Sequence, residues 1–218
     1  MAGNHDHYGN IMGQIGYTAI NDRWIFPWLY YKLSYDLNDG TNIDLIVIDT
    51  VVLCEFGHKF GRRKPHTYKI VEVHWKWIEN QLNKSKAHYI FVSGHNPVYS
   101  IGSHGPTKCL IDKLKPMLEK YHVAAYFSGH DHNLQVVSGA GGFASRRLRH
   151  IDDVPDGSSI FHYPDSPVEI IHNKTNPNST KGGFVLVRVD KSKAEFIFYN
   201  GRKDIVYSFS VGPRAVSH

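Results

Sequence analysis

Tyr89-Ile-Phe-Val-Ser-Gly-His95 is an apolar run that ends on Ser-Gly-His, and Ala124-Ala-Tyr-Phe-Ser-Gly-His130 repeats the phrase. A third run, Asp44-Leu-Ile-Val-Ile-Asp-Thr50, has the same form without the histidine. Each reads as a strand followed by a short polar turn. Near-continuous apolar strands are what a sheet covered on both faces requires. The turns deliver polar groups past the C-terminal ends of the strands, the edge where α/β sheets place their ligand sites. The glycines of Gly94-His95 and Gly129-His130 are expected to permit the sharp turns that aim the imidazoles.

Helical periodicity alternates with these strands. Val71, Trp75, Ile78 and Leu82 share one face, as do Ile111, Leu114, Leu118 and Tyr121 after an expected N-cap at Thr107. Strand–helix–strand–helix order predicts an α/β layered fold. Residues 144–181 are rich in Pro, Asn, Asp, Ser, His and Arg and read as long irregular loops. Beyond them Gly183–Val189, Ala194–Tyr199 and Ile205–Ser210 predict an antiparallel meander. No linker divides the chain, so residues 1–218 are read as a single domain.

Composition narrows the function classes. The 218 residues are 41% hydrophobic, enough for one ordinary core. No apolar run is long enough to span a membrane. Met1-Ala-Gly-Asn-His-Asp6 has neither the basic flank nor the apolar stretch of a secretory signal. Net charge is +5 with a pI near 9.1. The basic residues are scattered apart from Arg62-Arg63-Lys64 and Arg146, Arg147 and Arg149, with no aromatic-interleaved groove. A mildly basic surface of this kind argues against nucleic acid and suits a phosphorylated small molecule or phosphoprotein. Cys54 and Cys109 fit two buried thiols in a cytosolic protein, whereas the sequons at Asn83, Asn173 and Asn178 lean toward a secretory route.

Of the 15 histidines, a few stand in patterned positions. His130-Asp-His132 places two imidazoles close enough to address one metal ion or two adjacent ones, and neutral imidazole suits first-row transition metals. A lone pair of this spacing equally fits two structural histidines; the repeated strand–Ser-Gly-His context favours metal. Gly3-Asn-His-Asp6 packs an amide, an imidazole and a carboxylate into one turn. Taken alone it fits an Asx-turn.

The ordered set Gly-Asn-His-Asp, Gly-His and Gly-His-x-His resembles the calcineurin-like metallophosphoesterases. Gly94-His-Asn-Pro-Val-Tyr-Ser100, Ser103-His-Gly-Pro106 and Gly129-His-Asp-His-Asn-Leu-Gln135 look like the small purple, tartrate-resistant acid phosphatases within that superfamily. The likeness continues through Phe26-Pro27, Asp49-Thr-Val-Val-Leu-Cys54, Gly139-Ala-Gly141 and Gly182-Gly-Phe184. It implies an α/β/β/α layered sandwich and hydrolysis of phosphate monoesters by a metal-bound hydroxide at a dinuclear centre of Fe with Fe, Zn or Mn. It further implies that Asn4, His95 and His130 bind the second metal and His132 the first, the iron site. His5 and His104 would bind phosphate or protonate the leaving alkoxide, in a range set by the ordinary histidine pKa of about 6.5. Asp6 and Asp131 would orient their neighbours. The resemblance also implies that Cys54 and Cys109 form a disulfide and that the protein is secreted or lysosomal.

Two departures matter. Asn96 stands where the family often has Tyr, beside a ligand, where it is placed to alter substrate fit. The family's upstream ligands, an Asp of an Asp-x-Gly motif and the bridging Asp and Tyr of a Gly-Asp-Asn-Phe-Tyr motif, have no counterpart here. The resemblance therefore implies an incomplete ligand set, missing N-terminal strands and an apolar groove at a sheet edge. It leaves open a non-catalytic form binding one metal or none, and a related phosphodiesterase.

Overall fold

A computed structural model describes residues 1–55, 65–131, 134–135, 149–156, 158–163 and 183–215. A short helix, α1 (Ile11–Tyr17), precedes β1 (Tyr31–Asp36) and β2 (Asn42–Val47). Helix α2 (Pro65–Lys84), β3 (Tyr89–Ser93), α3 (Lys108–Lys120) and β4 (Ala125–Phe127) follow. The remaining strands are β5 (Leu134–Gln135), β6 (His162–Tyr163), β7 (Gly183–Val189), β8 (Ala194–Asn200) and β9 (Ile205–Val211).

The first sheet has the order β1-β2-β3-β4. Strands β2, β3 and β4 run parallel, and β1 pairs antiparallel with β2. Successive side chains on a strand point to opposite faces, and here the two faces have separate partners. Ile46, Ile90 and Val92 pack with Val71, Trp75, Ile78 and Leu82 of α2 and Leu110 and Leu114 of α3. Tyr89 and Phe91 on the opposite face pack with Ala194, Phe196 and Phe198 of β8. The second sheet is the antiparallel meander β7-β8-β9. The layers are thus helix, sheet, sheet. Among the described residues no helix covers the outer face of β7, where Phe184 and Leu186 stand exposed.

The predicted strands and both predicted helices form. Strand β1, helix α1 and the small β5–β6 pair are additions, and β6 and a 3-10 turn at Ile151–Asp153 lie inside the stretch read as loop. Thr107 does sit at the N-cap of α3, but its hydroxyl makes no capping bond. An apolar groove of about 450 Å³ opens between the sheets beside β1 and β7, lined by Tyr31, Tyr35, Leu45, Phe91, Val187 and Val189 among others. Both bounding strands are sheet edges.

Candidate metal centre

The parallel ladder continues past the strands and fixes the two histidine turns to each other. Gly94 N–H donates to the Phe127 carbonyl at 3.0 Å, and Gly129 N–H donates to the His95 carbonyl at 2.9 Å. The left-handed backbone falls on His130 itself (φ 66°) rather than on Gly129. A non-glycine residue pays a steric cost there, a conformation that clusters at functional sites. The requirement at Gly94 is for space. A Cβ there would lie 2.6 Å from the Tyr126 hydroxyl and 2.7 Å from Thr50 Cγ2. The expected role of these glycines as turn-makers is therefore corrected: one clears room and the other's turn is borne by the histidine.

His130 Nδ1 lies 3.0 Å from His95 Nε2, and Asn4 Oδ1 lies 2.9 Å from the same His95 nitrogen. Gly3 lets the N-terminal turn come this close, since a Cβ on it would sit 2.9 Å from the His95 ring. The His104 ring lies against His130 with centroids 4.1 Å apart. The structure thus brings together Asn4, His95, His104 and His130. His5 is exposed, with its ring 5.5 Å from that of Tyr8. His132 lies outside the described residues.

Asp131 is buried and accepts bonds from the Ser100 hydroxyl, the Ser103 hydroxyl at 3.3 Å and the His104 N–H at 3.0 Å. It shapes the loop that presents His104. Gly102 is needed beneath it, because a Cβ there would be 2.5 Å from the Asp131 carboxyl carbon. His150 packs on the other side of that loop, where Gly105 (φ 70°) leaves room for its ring, and Asp153 holds it at 2.5 Å. Asp6 accepts from Gly3 N–H at 2.7 Å and from Gln14 at 2.9 Å. Burial alone would raise its carboxyl pKa, but these bonds and nearby positive charge outweigh it and hold the group below its ordinary value.

Asn96 does not face substrate space. It is buried, accepts from the Thr50 hydroxyl at 2.7 Å and donates its backbone N–H to the same oxygen at 2.8 Å. The expectation that it alters substrate fit is corrected: it joins the ends of β2 and β3. Sequence reading assigned no role to Ser100, Gly102, His7, Asp49 or His150, whose partners are distant in the chain or fall outside any motif. Cys54 and Cys109 are bonded, with Cα atoms 5.7 Å apart, well within disulfide range.

The donor set fits a transition metal at one position. Two ligands about 2.1 Å from one ion stand about 3.4 Å apart in a tetrahedron and about 3.0 Å apart at right angles, so the spacings above are those of an octahedral-type angle or of a tetrahedral site closed in by a few tenths of an ångström. Two imidazole nitrogens and an amide oxygen suit a borderline ion such as zinc or iron. Among the described residues no cluster of three His, Cys, Asp or Glu side chains forms.

The sequence signature described as calcineurin-like phosphoesterase matches residues 1–134, more than half of the chain. The chain is 34% identical over 228 residues to tartrate-resistant acid phosphatase type 5 of Mus musculus, covering 98% of this chain and 66% of that protein. It is 40% identical over 177 residues to the Homo sapiens protein of the same name, covering 75% of this chain and 54% of that one. The chain thus spans less than two thirds of the length of these curated relatives. A solved structure titled "GAP50 the anchor in the inner membrane complex of Plasmodium" superposes with a TM-score of 0.70 at 22% identity, over 98% of this chain and 65% of that one. That likeness bears on the fold. With a matching signature, a matching fold and the histidine-bearing strand ends in register, the chain belongs to the calcineurin-like phosphoesterase family, where its relatives include the tartrate-resistant acid phosphatases.

Proposed function

We propose that this chain acts as an acid phosphatase that hydrolyses phosphate monoesters with metal assistance. The observation that carries the reading is the convergence of Asn4 Oδ1, His95 Nε2 and His130 Nδ1 within 3.0 Å steps, with the His104 ring tilted against that of His130. A bound transition metal supplies Lewis-acid stabilisation of phosphoryl charge. Asn4, His95 and His130 would hold it, and His132 would serve a second ion. Exposed His104, whose ring lies against His130, and exposed His5, next to Asn4 in the chain, are suited to bind phosphate oxygens or to protonate the departing alcohol. The iron, zinc or manganese identity of the ions is part of this proposal, as is a secretory or lysosomal setting, which the disulfide supports. Among the described residues no helix is long and apolar enough to cross a membrane.

A second reading is a form that binds one ion without turnover. It is favoured by the absence of a carboxylate among the converging donors of the described residues. The experiment is loading of the purified chain with iron, zinc or manganese, followed by turnover of p-nitrophenyl phosphate and its diester analogue at acid pH. Monoester turnover that His95→Ala abolishes supports the phosphatase. Metal uptake without turnover supports the second reading, and preference for the diester overturns the monoesterase assignment.

A further inference from the structure

The turn that carries Asn4 and His5 is anchored in the core by the small side chain of Ala2, while the larger Met1 and Tyr8 on either side of it are exposed. Helix α1, which follows it, buries no residue. The described polar tie from this turn to the end of β2 is made by His7, whose Nε2 donates to Asp49 Oδ2 at 2.8 Å. Both side chains are enclosed, 9% and 0% exposed. Asp49 follows β2, and its other oxygen accepts from Val52 N–H at 3.0 Å, so the carboxylate is held from two sides. The next residue, Thr50, bonds to Asn96, the neighbour of His95.

The segment between Asn4 and His7 is itself stiff. Asp6 N–H donates to the Gly3 carbonyl at 3.1 Å, Tyr8 N–H donates to the His5 carbonyl at 3.2 Å, and Gly3 N–H donates to the Asp6 carboxylate at 2.7 Å. A displacement at His7 is therefore transmitted to Asn4. An apolar pair of similar volume would serve stability at least as well as a buried ion pair. It would lack the directional bond that sets where the turn sits.

We infer that the His7–Asp49 pair is a positioning element that holds the Asn4 carboxamide on His95, so that metal affinity at this centre depends on a bond made behind the ligand. The affinity part rests on the metal reading above; the placement of Asn4 does not. Partners behind a metal ligand typically change affinity by about ten- to a hundredfold when removed.

The test titrates zinc ion into the metal-free chain and its variants. His7→Phe keeps a ring but removes the bond, and is expected to weaken zinc by about ten- to a hundredfold. His7→Gln, whose amide can donate to Asp49, is expected to recover most of the affinity. In an Asn4→Ala background His7→Phe is expected to cost nothing further, because coupled residues are non-additive. An equal loss in both backgrounds, or no rescue by His7→Gln, overturns the inference. If His7→Phe does not fold, His7→Ala carries the same test.

A second arm uses no metal. In the NMR spectrum of the metal-free chain, the Asn4 side-chain amide is expected to show contacts to the His95 ring. His7→Phe should abolish these contacts and the exposed control His122→Asn should not. Their persistence in His7→Phe overturns the inference, whatever zinc does. Failure of the wild-type chain to bind zinc sinks the metal reading instead, and this arm still decides the role of His7.

Discussion

The Tyr126 hydroxyl donates to the Asn96 carbonyl at 2.6 Å, tying the middle of β4 to the turn immediately behind His95. Gly94 opens the space through which that hydroxyl passes. Burial pushes the phenol pKa up, so the group remains a donor throughout the neutral and acid range. Tyr126→Phe leaves the Asn96 carbonyl without this donor and should cost about 1–2 kcal/mol, measured by urea denaturation. The loss should be accompanied by a shift of the His95 ring resonances.

Gly102 and Gly16 make a matched pair. A Cβ on Gly102 meets the Asp131 carboxylate at 2.5–2.8 Å, whereas one on Gly16, in α1, meets nothing within 4 Å. Gly102→Ala should destabilise the fold by about 1–3 kcal/mol and disturb the loop bearing His104. Gly16→Ala should be neutral or favour the helix by up to about 1 kcal/mol. Equal denaturation midpoints for the two variants would show that the loop yields without cost.

His74 is fully buried in α2 with its ring stacked on Tyr30 at 4.0 Å, and neither ring nitrogen has a hydrogen-bond partner among the described residues. Burial lowers its pKa from 6.5 to about 3. The unfolded chain therefore binds a proton that the folded chain refuses. Above pH 6.5 this group costs nothing; as the pH falls from 6.5 toward 3, stability is lost by about 1.4 kcal/mol per pH unit. Between neutral pH and about pH 5 the change should be about 2 kcal/mol. His74→Phe should flatten that part of the stability–pH curve, followed by denaturant titration at both pH values.

The Cys54–Cys109 bond joins the segment after β2 to the first turn of α3 across a separation of 55 residues. Its removal in Cys54→Ser, Cys109→Ser should lower unfolding free energy by about 2–4 kcal/mol. The oxidised chain should show no free thiol on titration after denaturation.

The strands and helices were legible because their cause is local. An apolar run such as Tyr89–Val92 must be covered on both faces, and the spacing of Val71, Trp75, Ile78 and Leu82 makes one helical face. The same runs placed His95 and His130 at strand ends, so most of the candidate centre could be named from residue order and resemblance. Strand β1 escaped because Tyr31–Asp36 mixes polar and apolar residues and its first residues follow an irregular aromatic stretch. The inward turn of Asn96 escaped because its side chain is claimed by Thr50, a partner 46 positions earlier.

By itself the sequence determined the layered α/β class, the family resemblance and the residue types able to bind a metal ion. Tertiary structure decided which atoms meet: Asn4 Oδ1 on His95, His104 on His130, His7 on Asp49. It also decided that His130, not its glycine, takes the left-handed turn. Periodicity and turn chemistry act over a few residues, so they can be read along the chain. Convergence of donors from the first turn, β3 and β4 depends on sheet register and close packing, which exist only once the distant segments are brought together.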